Sequence, residues 1–456
     1  MLLIASYFFY MCYQTELVFL IFGTTLVSWI SSVIIERTEK KKYKVLFLTL
    51  TLISSLGVLF FYKYFNFLAG TVFDIAAALG SDVAPVTLRL ALPVGISFYT
   101  FQTLSYVIDV YRGDVKSERN FFFYALFVSF FPQLVAGPIE RPSNLIPQLR
   151  EPHPWSAENA LAGAKMMILG FFKKICVADF ISGFVDSVYN SPDNATSLGV
   201  IIATLLFAVQ IYCDFSGYTD IAIGCARIMG IRLMKNFDSP YSATSIREFW
   251  SRWHISLSTW FRDYLYIPLG GNRVCLPRHL LNLFIVFLVS GLWHGAAWTF
   301  VIWGALHGIY QIVGKLTIKW RSRLINKLGL SESSLVVVWT RRVITFLLVS
   351  FAWLLFRANS MSDAITLIKK LFVGLDLSGT IGLMGFDALS AILCVTSIAL
   401  LILLDRTVTY DGKEVGEKSH IIVRSGAYVY AVTLIILFWL LLLSKDMIST
   451  FIYFQF

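Results

Sequence analysis

Apolar residues fill this chain in runs about as long as the roughly 20 residues a helix needs to cross a bilayer. Such runs lie near 15–35, 45–66, 94–110, 121–136, 160–180, 198–213, 281–311, 338–356, 388–404 and 425–443. A shorter run over 1–13 must tilt or re-enter; it lacks a charged leader and a small-residue cleavage site, so we read it as a retained first span. The pattern predicts an all-α polytopic membrane protein with about 11 transmembrane helices. Residues 214–280 break the pattern, being amphipathic, aromatic and dense in Arg, without a long polar linker. Irregular backbone survives at membrane depth only where protein or water covers it, so this stretch predicts re-entrant or in-plane helices. No internal repeat or low-complexity segment interrupts the chain, and a single domain over 1–456 is expected.

Composition agrees with lipid as the solvent: 57% of the residues are hydrophobic and 14% are charged, against about 25% charged in soluble domains. The net charge of +10 comes largely from short loops between apolar runs. Segments 36–44, 315–327 and 405–424 carry clustered Lys and Arg, which assigns them to the cytoplasm. The C-terminal tail, 444–456, then falls on the extracytoplasmic side. No basic, aromatic-interleaved polar domain exists to hold nucleic acid. The six cysteines are scattered, without a C-x-x-C pair, and indicate neither a disulfide framework nor a metal site.

Two histidines stand out by context. His294 lies in Ser290-Gly291-Leu292-Trp293-His294-Gly295, near the middle of the 281–311 run. An ionisable residue at that depth is a functional candidate, and imidazole is suited to proton transfer near neutral pH. Gly291 and Gly295 would leave room for a substrate beside the ring. The competing reading is a histidine that hydrogen-bonds a neighbouring helix; His307 fits that role better. His254 lies in Trp250-Ser251-Arg252-Trp253-His254, with Arg262 and Asp263 close behind. This patch either lines a substrate tunnel or is an interfacial helix with Trp anchors and snorkelling Arg, and both readings stand. The string Asp214-Phe215-Ser216-Gly217-Tyr218-Thr219-Asp220 interrupts the apolar pattern without forming a hydrolase elbow, and helix capping and a bend account for it.

Taken together, the strings resemble the membrane-bound O-acyltransferase (MBOAT) superfamily, and within it the bacterial alginate and peptidoglycan O-acetyltransferase membrane subunits. The resemblance rests on Pro93–Gln102, Phe131–Ile139, Asp214–Asp220, Phe249–Ser258, Trp260–Gly271 and the His294 string, in the family's order over about 93–308. It implies a ring of transmembrane helices around a central tunnel. His294 then matches the family's embedded catalytic histidine, and His254 its second signature histidine. Gln102, Asp214, Trp253, Trp293, Arg262 and Asp263 become candidate tunnel residues. No cofactor is held permanently, and acetyl-CoA is the expected acyl donor.

The tail reads Phe451-Ile452-Tyr453-Phe454-Gln455-Phe456. It is similar to the tyrosine motif of a small membrane protein of teichoic-acid D-alanylation, in which the tyrosine is thought to carry the acyl group. By that likeness Tyr453 is a candidate acyl carrier, with Phe451 and Phe456 docking the tail. The alternative is an aromatic interfacial anchor. The function expected is O-acylation, with acetyl, of an extracytoplasmic cell-envelope polysaccharide at a bacterial plasma membrane. An extracytoplasmic SGNH-type esterase or transferase would complete it. The rivals are a teichoic acid D-alanyl transferase and, in another class, a transporter or flippase, for which no intramembrane carboxylate pair or inverted repeat is visible.

Overall fold

The computed structural model describes residues 1–13, 15–80, 86–88, 90–372, 374, 376–385, 387–405, 421–444 and 451–452. Tyr453 and Phe456, and most of the basic segment 405–424, lie outside the described residues. Every regular element among the described residues is a helix. Five are long and apolar enough to cross a membrane: Thr15–Arg37, Lys41–Ala78, Ser197–Ile228, Leu276–His294 and Leu335–Arg357. Leu2–Met11, Ser390–Ile402 and Tyr428–Leu443 are shorter apolar helices.

The all-helical polytopic expectation therefore holds, but several apolar runs are not single spans. Apolar composition reports the solvent of a segment and is blind to where its backbone bends. The 281–311 run is two helices, Leu276–His294 and Trp298–Leu316, separated by extended backbone at Gly295 and Ala297. The 121–136 run stops at Ser129 and restarts at Phe131, beside Pro132, which has no N–H to give. The 160–180 run widens into a π-helical turn at Phe172–Asp179. Residues 214–228, expected to begin a stretch of re-entrant or in-plane helices, instead prolong the helix Ser197–Ile228. The re-entrant expectation fits Ile246–Arg252 and Ile255–Phe261, seven residues each, hence only about 10 Å long.

The chain forms two compact units, Met1–Ala160 with Cys225–Met234, and Leu161–Gly224 with Lys235–Phe456. Polar stitches hold the first together. Tyr124 donates its hydroxyl to Ser28 at 2.7 Å, and the Tyr106 hydroxyl accepts from the Glu118 N–H at 2.7 Å. The helix Ile96–Arg112 starts after Gly95 at φ 71°, where a Cβ would stand 2.5 Å from the Leu134 carbonyl oxygen. The Pro132 break deprives Phe127 O of its ordinary helical donor, because the Phe131 N–H turns to Ser6 Oγ. The Gln102 side chain donates to that carbonyl at 2.7 Å and Gln133 at 3.2 Å, as buried carbonyls require.

In the second unit, glycine stripes set the spacing of the helices. Gly163 and Gly170 face Gly224 and Gly217: the Gly163 carbonyl oxygen stands 2.5 Å from where a Cβ on Gly224 would sit, and the Gly170 carbonyl oxygen 2.8 Å from one on Gly217. Backbones this close are the packing that small residues permit in membrane proteins. The hairpin of Leu276–His294 and Trp298–Leu316 uses the same device: a Cβ on Gly304 would lie 2.4 Å from Phe287 O and 3.0 Å from Gly291 Cα. These neighbours are backbone atoms that cannot swing aside. We predict that Gly304→Val lowers stability by about 1–3 kcal/mol, the usual cost of overpacking. Gly23→Ala, with nothing within 4 Å of its Cβ, should be near neutral. The thermal midpoint of purified protein in detergent checks both, and equal midpoints for the two variants would refute the packing account.

Candidate active site

The helix Ile246–Arg252 begins where Ser245 Oγ accepts the Glu248 N–H at 3.2 Å, an N-cap of the usual kind. It ends at Trp253, and His254 then takes a left-handed conformation with φ 45° and ψ 55° before the next helix starts. Among the described residues, only Ser239 and His254 are non-glycine residues with positive φ. That backbone costs on the order of 1–3 kcal/mol and persists only when surroundings enforce it. Asn236 supplies the enforcement. Its carbonyl accepts the Ile255 N–H at 2.9 Å, and its Oδ1 accepts from Ser256 N at 3.2 Å and Ser256 Oγ at 2.9 Å.

The same Oδ1 lies 3.1 Å from His254 Nδ1. A backbone N–H can only donate, so the Asn236 atom facing Ser256 N is the oxygen. His254 Nδ1 must therefore carry the hydrogen, which leaves the lone pair on Nε2. Asn236 thereby sets both the orientation and the tautomer of the imidazole.

His294 is the last residue of the helix Leu276–His294 and is buried. Its ring stands edge-on to Trp293 at 4.9 Å, Trp303 at 5.0 Å and Phe356 at 5.6 Å. The His254 ring is 6.5 Å away, and Trp293 touches both histidines. Two imidazoles thus share one aromatic-walled interior. The space expected beside Gly291 and Gly295 is occupied, because a Cβ on Gly295 would fall 2.2 Å from the Phe300 ring, and Gly291 abuts Gly304. Those glycines allow the hairpin to close and bring Phe300 and Trp303 against the histidine. His307 accepts the Trp250 indole N–H at 3.1 Å among the rings of Phe287, Trp303 and Tyr310, a packing anchor for the hairpin.

Asp214 sits on the helix Ser197–Ile228, fully buried. Lys174 donates to its Oδ1 at 2.6 Å and also meets Asp179 at 2.8 Å, while Lys173 pairs with Asp220 at 2.9 Å. The wider π-helical turn at Phe172–Asp179 lets the two adjacent lysines face the same helix. The backbone N–H of Ile452 donates to Asp214 Oδ2 at 2.7 Å. Phe451, the residue before it, packs on Tyr218 at 5.2 Å and Phe215 at 6.1 Å, and Phe215 in turn stands edge-on to His254 at 4.7 Å.

The second unit therefore gathers His254, Trp293, His294, Asp214 and Phe451. Trp253 packs behind them, 5.1 Å from Trp353. Arg262 and Asp263 pair with each other at 2.7 Å with side chains 59% and 30% exposed, outside the buried cluster. Gln102 belongs to the first unit, where its amide serves the Phe127 carbonyl. Asn236, Lys173, Lys174, Trp303 and Phe356 escaped the sequence reading. Adjacent lysines inside an apolar run were a visible signal. Nothing in the sequence distinguishes Asn236 from other polar residues between Gly230 and Pro240.

Residues 114–356 match the model of MBOAT, the membrane-bound O-acyltransferase family. The chain is 39% identical over 373 residues to the probable alginate O-acetylase of Pseudomonas aeruginosa, across 82% of this chain and 69% of that protein. It is 37% identical over 404 residues to the peptidoglycan O-acetyltransferase of Helicobacter pylori, across 82% and 73%. The teichoic acid D-alanyltransferase of Bacillus subtilis is 30% identical over 250 residues, across 50% and 60%. His254, His294, Asp214 and Asn236 all lie inside the matched segment.

The Asn236 contact makes a prediction independent of any activity. Nitrogen-15 spectra of histidine-labelled protein should show His254 as the Nδ1–H tautomer, and Asn236→Leu should abolish that preference. A His254 signal dominated by Nε2–H in the unsubstituted protein would contradict the assignment.

Proposed function

The chain belongs to the membrane-bound O-acyltransferase family and is a multi-pass membrane O-acyltransferase, and on that premise we propose that it moves an acetyl group from cytoplasmic acetyl-CoA toward an extracytoplasmic cell-envelope polysaccharide. The observation that carries the reading is the buried pair of His254 and His294, 6.5 Å apart within aromatic walls. His294 is the general base. It is the last residue of its helix, where the chain turns into the hairpin. His254, with Nδ1 committed to Asn236, turns an acceptor nitrogen to the same interior and positions the reacting groups. The exposed pair of Arg262 and Asp263 suits the entrance used by a polar donor.

In the transfer, an acceptor hydroxyl oxygen attacks the thioester carbonyl carbon. The new C–O bond forms, the C–S bond breaks, and the hydroxyl proton passes to His294 and then to the departing thiolate. Holding donor and acceptor on one base can contribute about 7–11 kcal/mol toward the barrier. The first acceptor in this reading is Tyr453, whose phenol, with an unperturbed pKa of about 10, needs such a base. A phenol leaves more readily than a sugar hydroxyl, so the tyrosyl ester stays activated for a second transfer. An extracytoplasmic SGNH-type transferase then passes the group to glycan at the bacterial plasma membrane. Support for the carrier comes from residue 452, one position before Tyr453, which is bonded to the helix that packs on His254. The second reading is D-alanyl transfer to teichoic acid, favoured by the 30% identity over half of the chain. The acetyl relatives match at 37–39% identity over 82% of it, and that extent supports the acetyl reading.

His294→Ala should cut glycan acylation by about 10²–10⁴-fold, the usual worth of general acid–base catalysis, in protein that still inserts and folds. His254→Ala should cost less, because its role is placement. Near-normal acylation by folded His294→Ala would remove the base assignment. Tyr453→Phe deletes one oxygen and should abolish both an acetylated intact mass and glycan transfer; unchanged transfer would remove the carrier while leaving the acyltransferase in place.

A further inference from the structure

Asp214 was a candidate for lining the substrate path, yet its partners assign it other work. One carboxylate oxygen takes Lys174 at 2.6 Å and the other takes the Ile452 backbone N–H at 2.7 Å. The neighbouring charges are Lys173 and Lys174 against Asp179, Asp214 and Asp220. An N–H bonded to a carboxylate is a strong, charge-assisted contact. The tail provides that donor. Asp214 and Tyr218 lie four residues apart, on one face of the helix. The carboxylate therefore meets the tail backbone while the Tyr218 ring receives Phe451. Phe215, next in sequence to Asp214, reaches both Phe451 and His254.

We infer that Asp214, held by Lys174 and flanked by Phe215 and Tyr218, is the docking site for this chain's own C-terminal segment, gripped by the backbone N–H of residue 452. The site recognises a peptide in which an aromatic residue, Phe451, precedes the backbone N–H that Asp214 accepts. Asp214 is a positioning residue in this scheme: it fixes the register of the tail against the helix whose Phe215 walls His254. Docking stands independently of what Tyr453 does; its consequence for acyl transfer rests on the carrier reading above.

Hydrogen exchange of the full-length protein in nanodiscs, read on the terminal peptide by mass spectrometry, tests the docking. The amide of residue 452 should exchange at least about 100-fold more slowly than a free chain, as buried, bonded amides do. Asp214→Asn should reduce that protection about tenfold or more while leaving the helix Leu276–His294 unchanged. Ile452→Pro leaves the ion cluster intact but removes the donor. It should speed exchange of the remaining tail amides and lower glycan acylation to the level of Tyr453→Phe. Tyr453→Phe itself should keep amide 452 protected. Free-chain exchange at residue 452 in the unsubstituted protein, or protection unchanged by Asp214→Asn in folded protein, would overturn the docking site. If Tyr453→Phe acylates glycan normally while amide 452 stays protected in an Asp214-dependent way, the carrier reading falls and the dock remains.

Discussion

The Asp214 carboxylate joins three parts of the second unit: its own helix Ser197–Ile228, the π-helical turn at Phe172–Asp179 through Lys174, and the tail through Ile452. Contacts of 2.6–2.7 Å between helices need backbones close enough for short side chains to meet. The glycine stripes provide this, with Gly170 against Gly217 and Gly163 against Gly224. Each feature depends on the other. A side chain on either stripe would part the helices and leave lysines and aspartates buried without answer, and removing the charges would leave close backbones with nothing to fix their register.

The candidate functional groups sit where helices break. His254 occupies a left-handed break between two short helices, His294 ends a helix at a hairpin turn, and Lys173 and Lys174 lie in a widened turn. A continuous helix consumes its own polar backbone groups, whereas a break releases some and demands partners for them. At His254 the demand is met by Asn236, whose backbone and side chain bond to Ile255, Ser256 and the imidazole together. The conformation is costly and well held, so the ring is oriented before any substrate arrives. The aromatic residues Trp293, Trp303 and Phe356 fill the hairpin around the His294 ring.

Much of this was legible in the residues. The strings around His254 and His294 were polar and ionisable where lipid-facing sequence is not, and the family resemblance they carried is borne out by the match over residues 114–356. The helix boundaries were less legible. The 281–311 run looks continuous because Gly295, Ala296 and Ala297 are as apolar as a span requires, yet the chain turns there. Gln102, a polar residue in an apolar helix, was read as a tunnel candidate, and in the fold its amide serves the Phe127 carbonyl, whose usual helical donor, the Phe131 N–H, turns to Ser6.

By itself, the sequence determined the solvent of the chain, its all-helical class, its family and the two histidines proposed to carry its chemistry. These follow from composition and from local strings, and local information suffices for them. Only the tertiary structure decided that His294 ends its helix, that Asn236 sets the tautomer of His254, and that Asp214 faces the tail. The last two facts join residues far apart in the chain, 18 positions for Asn236 and His254 and 238 for Asp214 and Ile452. A hydrogen bond of 3 Å across such separations leaves no periodicity behind, because it depends on where helices stop and how closely glycine lets them approach.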